Sequence, residues 1–203
     1  MRLTFAGVVF AAAAAGLSGV GRQPDRKAPP ADPKDPQSAV EPRSAPGAGQ
    51  KFLEKFAGEW EVVKTFHPRQ GKPVATAGRC KQEMVHGGRF LRSEFTFDVL
   101  GGKTIGIGLI GWEPGTGRFT SVWVDSRQTR MSFRQAEGRF DGEQIVLHAK
   151  ELGGAEGRKS RTVTRPEAGG DKIVHRQYGA GPDGKERLVM ELVLTRKPGP
   201  PGR

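Results

Sequence analysis

Between Gly58 and Arg196 the chain is cut at short intervals by Gly-rich or Pro-rich turns, and the segments between them alternate apolar with polar residues. A period of two suits a half-buried strand, not a helix. About ten such segments, joined by tight turns, are enough to curl a sheet onto itself and leave no edge. The expected fold is all-β, a single antiparallel up-and-down barrel. Its strands are placed at Glu59–Phe66, Thr76–Val85, Arg89–Val99, Thr104–Trp112, Arg118–Asp125, Thr129–Ala136, Gln144–Leu152, Lys159–Arg165, Lys172–Tyr178 and Glu186–Arg196. One short N-terminal helix is expected over Lys51–Ala57. Phe52, Leu53 and Phe56 would share one face there, as suits a plug at a barrel end.

The ends of the chain read differently. Residues 1–21 combine Arg2, an apolar run from Leu3 to Leu17 and small residues at Ser18, Gly19 and Gly21. That is the pattern of a cleaved signal peptide. It is short of the roughly 20 apolar residues a spanning helix needs, so no transmembrane anchor is expected after processing. The expected location is periplasmic or extracellular. Residues 22–49 hold seven prolines and no aliphatic side chain larger than Ala except Val40. Such a stretch cannot bury enough surface to offset its ordering entropy, so it reads as a disordered tether. Residues 50–197 form the expected barrel domain and 198–203 a disordered tail.

The net charge of +11 could attract an acidic envelope polymer. Basic and acidic residues are interleaved, however, with no run of five like charges. Export also argues against access to nucleic acid, and no nucleic-acid partner is expected. The lone Cys80 excludes an internal disulfide framework.

Phe56-Ala57-Gly58-Glu59-Trp60, preceded by Leu53, resembles the Gly-x-Trp opening of lipocalin-like barrels. Gly87-Gly88-Arg89-Phe90-Leu91, then Gly111-Trp112-Glu113, then Trp123-Val124-Asp125-Ser126 follow in an order similar to bacterial domain-of-unknown-function family 1579. Over roughly Leu53 to Arg196 that resemblance implies a lipocalin-like (calycin) barrel. The activity of the family is unassigned, so the resemblance implies no catalytic residue.

Gly106-Ile107-Gly108-Leu109-Ile110-Gly111 matches the dinucleotide-binding G-x-G-x-x-G. That chemistry needs a helix immediately after the loop, and Pro114-Gly115 breaks the chain there. No two of the four histidines stand at metal-ligand spacing, and no Ser sits in a G-x-S-x-G elbow. The expected function is noncatalytic binding of a small apolar or amphipathic molecule in the barrel cavity. Trp60, Trp112 and Trp123 are the aromatic candidates for its wall. Arg92 and Glu94 would line a polar cavity if their face looks inwards, or form the solvated outer face if it does not. Two alternatives stand beside this. One is a haem barrel resembling nitrobindin, which shares the Gly-x-Trp opening and holds iron through a late-strand histidine, here His175. The other is a structural envelope protein that binds acidic polymer.

Overall fold

The computed structural model describes residues 44–150, 160–181 and 183–198. The expected signal peptide, most of the tether and most of the tail lie outside them. Ten antiparallel strands form a closed barrel in which each pairs with its sequence neighbours and β1 closes on β10. They are β1 (Gly58–Phe66), β2 (Val74–Val85), β3 (Phe90–Val99), β4 (Gly102–Glu113), β5 (Arg118–Asp125), β6 (Ser132–Gln135), β7 (Ile145–Lys150), β8 (Ser160–Glu167), β9 (Lys172–Ala180) and β10 (Glu186–Arg196). Among the described residues every strand has a neighbour on both sides, which removes most of the usual template for aggregation.

Alternation fixes which side chains enter. In β3, Leu91, Ser93, Phe95 and Phe97 are buried while Arg92, Glu94 and Thr96 face outwards. In β1 the inward row is Trp60, Val62 and Lys64. The β2–β3 turn runs through His86, Gly87 and Gly88, all at positive φ. Glycine carries no steric cost in that region, so the Gly-Gly pair permits a tight reversal.

The helix α1 spans Ala48–Glu54, three residues earlier than expected. Two contacts draw it back. Gln50 accepts the Gly47 amide through Oε1 at 2.7 Å and donates Nε2 to the Trp112 carbonyl at 2.9 Å. The Trp112 indole lies directly against Gly47 and Gly49, where a Cβ would overlap it. Ala48 and Gly49, read from composition as tether, are therefore helical, and the missing side chains of Gly47 and Gly49 admit the aromatic ring. The apolar face behaves as expected, with Phe52, Leu53 and Phe56 buried across one barrel end.

Strand β6 is shorter than the expected Thr129–Ala136. Arg127 folds back onto Asp125, its own amide donating to Oδ1 at 2.9 Å, so the chain leaves the sheet after β5.

Candidate functional site

The barrel interior encloses a cavity of about 390 Å³. At the helix end its wall is apolar, with Leu53, Phe56, Ile145, Ile173 and Leu194. Away from the helix the lining becomes polar, through Lys64, Asp125, Arg127, Ser132, Arg134 and His175. Arg127 and Gln128 are exposed as well as lining, so this end is the mouth.

The charges inside are unevenly matched. Asp125 is bound by Arg127 through Nε at 3.1 Å and Nη2 at 2.8 Å, and by Trp123 Nε1 at 3.0 Å. The Arg127 hydrogen bonds hold its carboxyl far below the ordinary carboxylate range, against the opposing effect of burial. Lys64 is 6% exposed and stands 3.6 Å from the centre of the Phe97 ring, a cation–π contact. Burial and then the nearby Arg127 push its ammonium down, partly offset by Asp125. Burial likewise pushes down the Arg134 guanidinium, whose Nε has no hydrogen-bond partner.

His175 projects from β9 into the same space, with Nδ1 2.7 Å from Thr164 Oγ1 on β8. Burial first, then the Arg134 charge, lower its pKa to about 4. The ring is neutral at physiological pH. What solvent contact it has is with the cavity it lines.

The helix end is sealed by a different group. The Arg196 guanidinium lies 4.1 Å over the Trp60 ring. It donates to the carbonyls of Ala57 at 2.8 Å, Lys55 at 3.1 Å and Gly170 at 2.9 Å. Gly58, at φ 140°, leaves the space that this guanidinium occupies. The Gly-x-Trp spacing thus has a direct cause. Trp60 supplies the stacking surface and donates Nε1 to Phe56 O at 3.0 Å, while Gly58 clears the way for the arginine.

The Gly106–Gly111 motif also has a structural role. All of it lies in β4, and a Cβ on Gly106 would overlap the six-membered ring of the Trp123 indole. Gly106 and Gly108 form a flat seat for that ring, which meets Phe95 edge-on at 5.6 Å, while Gly111 lies against Phe90. Gly106→Ala is expected to cost about 2 kcal/mol by forcing the indole off its seat. Gly138→Ala, with no heavy atom within 4 Å of its added carbon, is the control and is expected to be near neutral. Thermal unfolding and tryptophan emission of the two variants check this.

Of the side chains singled out from sequence, Trp123 and His175 line the cavity. Trp60 is fully buried beneath Arg196, and Trp112 is packed under α1, so neither reaches it. Arg92 and Glu94 are on the outer face. They pair with each other there, and Arg92 also pairs with Glu83 at 3.6 Å. They share a face with each other but not with Leu91, Phe95 and Phe97, whose burial turns them outwards. Arg161 and Arg176 are likewise paired outside, with Glu186 and Glu191. Cys80 is buried and its thiol is pushed up by that burial, leaving it unreactive. Among the described residues, no three His, Cys, Asp or Glu side chains gather as a metal site.

Lys64, Asp125 and Arg134 are the functional candidates that sequence reasoning missed. Lys64 shares strand parity with Trp60 and Val62, a signal that was available. Arg134 had no such signal, because the apolar Phe133 beside it suggests the opposite orientation for β6.

Two solved structures share the fold. The Rv2717c protein from M. tuberculosis is 16% identical, with a TM-score of 0.55, covering 76% of this chain and 100% of that one. The S-type phycobiliprotein lyase CPES from Guillardia theta is 12% identical, with a TM-score of 0.52, covering 80% of this chain and 98% of its own. No curated protein matches the chain. Residues 45–196, nearly the whole described barrel with its helix, match the family described as "Protein of unknown function (DUF1579)", and the chain belongs to that family.

Proposed function

We propose that this protein is an exported carrier that holds a small, partly apolar molecule inside its barrel and does no chemistry on it. The observation that carries the reading is the cavity of about 390 Å³, apolar towards the helix and polar towards the mouth. That volume falls within the range of small-molecule sites, which combine apolar walls with a few placed polar groups. Its carboxylate supports a binding role over a catalytic one, since Asp125 is held by Arg127 and Trp123 and is not free to take up a proton. The test is mass spectrometry of the full-length chain expressed with its leader and recovered from the periplasm. Native and denaturing masses are expected to differ by the mass of a bound molecule, and the denatured mass to lack the leader. Equal masses across several expression hosts would remove the support for a retained ligand. A polypeptide found uncleaved in the cytoplasm would overturn export.

A second reading, haem held by His175, is favoured by one feature of the ring. Thr164 engages Nδ1 and burial keeps the imidazole neutral, which leaves Nε2 as the nitrogen able to meet a metal. Bound haem would supply ligand or redox chemistry at its iron. The chain's part would be to orient His175 through Thr164 and to surround the group with apolar wall. A Soret band in the same preparation that is lost in His175→Ala would support this reading over an apolar ligand.

A further inference from the structure

The cavity carries more positive charge than it neutralises. Arg127 is matched by Asp125, the acidic side chain found among the described lining residues. Lys64 and Arg134 then form no ion pair among the described residues, although Asp125 lies near enough to Lys64 to offset part of its burial. Lys64 has a partial substitute in the Phe97 ring. Arg134 has none, and its Nε is buried without a hydrogen-bond partner. A guanidinium facing a cavity with a buried, unpaired nitrogen is costly, and protein interiors ordinarily answer such a group with an anion.

The surroundings of Arg134 are suited to that anion. It lies in β6 between Ser121 of β5 and Ala149 of β7, and both Arg134 and Ser121 line the cavity. The lining also holds Ser132, Thr162, Thr164 and Gln177, whose hydroxyl and amide groups can donate to an acid oxygen. Burial keeps His175 nearby neutral, so the unmatched positive charge facing the cavity is that of Arg134 and Lys64. The apolar end, with Leu53, Phe56, Ile145 and Leu194, would take a hydrocarbon body.

We propose that the occupant is an amphipathic carboxylic acid whose carboxylate pairs with Arg134 while its hydrocarbon part fills the helix end of the barrel. This rests on the ligand-binding reading above and adds the chemical class of the ligand. The planar fork of a guanidinium matches a carboxylate through two parallel hydrogen bonds, a geometry no alcohol or amine reproduces.

The experiment is calorimetric titration of the full-length, delipidated protein at neutral pH with decanoate, decanol and decylamine. Decanoate is expected to bind roughly 10- to 100-fold more tightly than decanol, as a charge-assisted pair adds to a common tail contact. Decylamine is expected to bind more weakly than decanol. Arg134→Met keeps side-chain bulk and removes the charge, and is expected to bring decanoate and decanol within about threefold of each other. Equal binding of decanoate and decanol to the unaltered protein would overturn the proposal and leave the carrier reading intact. That comparison decides the matter even if the variant does not fold. A preference that survives Arg134→Met and disappears in Lys64→Met would overturn the assignment to Arg134. Binding of none of the three would count against both the proposal and the carrier reading beneath it.

Discussion

Arg196→Ala is expected to lower stability by about 4 kcal/mol, which for a domain of this size corresponds to a fall in melting temperature on the order of 10 °C. The size of the effect follows from what one side chain joins. Arg196 stacks on Trp60 and donates to three carbonyls from two segments that meet at the helix end: Lys55 and Ala57 after α1, and Gly170 before β9. Hydrogen bonds from a charged donor contribute roughly 1.5–3 kcal/mol each and are not additive. Carbonyls near the surface recover water when the arginine is removed, so the total stays below a simple sum. Arg196→Lys is the informative companion. It keeps the charge but loses the fork, and is expected to recover no more than about a quarter of the loss. Urea denaturation of the three proteins gives the answer, and a loss under about 1 kcal/mol for the alanine variant would mean the clasp contributes little.

The second large effect is on acid stability. His175 stays neutral in the fold down to about pH 4, whereas an unfolded chain protonates it near 6.5. Between those values the unfolded state binds the extra proton. Stability is therefore fully present above pH 6.5 and is lost as pH falls towards 4, by up to about 3 kcal/mol from this residue alone. Asp125 acts lower on the scale. Its carboxyl is depressed in the fold, so its contribution is present above the ordinary carboxylate value and lost only below it. The two windows hardly overlap. Unfolding measured at pH 7 and pH 4.5 is expected to show His175→Gln losing about 2–3 kcal/mol less than the parent over that interval. Parallel pH profiles for both proteins would refute buried neutrality at His175.

The alternation was enough to place the strands, and β5 and β10 begin and end where the pattern put them. It was less reliable for the direction of individual faces. In β4 the larger aliphatics Ile105, Ile107 and Leu109 are 50%, 38% and 38% exposed, while Gly106 and Gly108 turn inwards. The reason is spatial. Trp123 reaches across from β5 and fills the volume those glycines leave, so a single aromatic ring substitutes for a row of inward side chains. Arg134 was hidden by its apolar neighbour Phe133, which alternation would have put on the inward row and which does not line the cavity. Arg196 was hidden differently, because its partners Trp60 and Gly170 come from distant parts of the chain and no local pattern links them. Sequence periodicity reports strand spacing. It does not report which residue of another strand completes a given row.

The chain enters and leaves the barrel at the same end. Ser44 accepts a hydrogen bond from Arg89 beside the β2–β3 turn, and Lys197 donates its amide to Glu59 at the start of β1. The first and last described residues therefore lie on the plugged side, with the cavity mouth at the opposite pole. A support that gripped the barrel beside Ser44 or Lys197 would face the plug, and the opening would be turned away from it. Fusion partners and immobilising chemistry joined at those two points would leave open the route by which a guest molecule arrives.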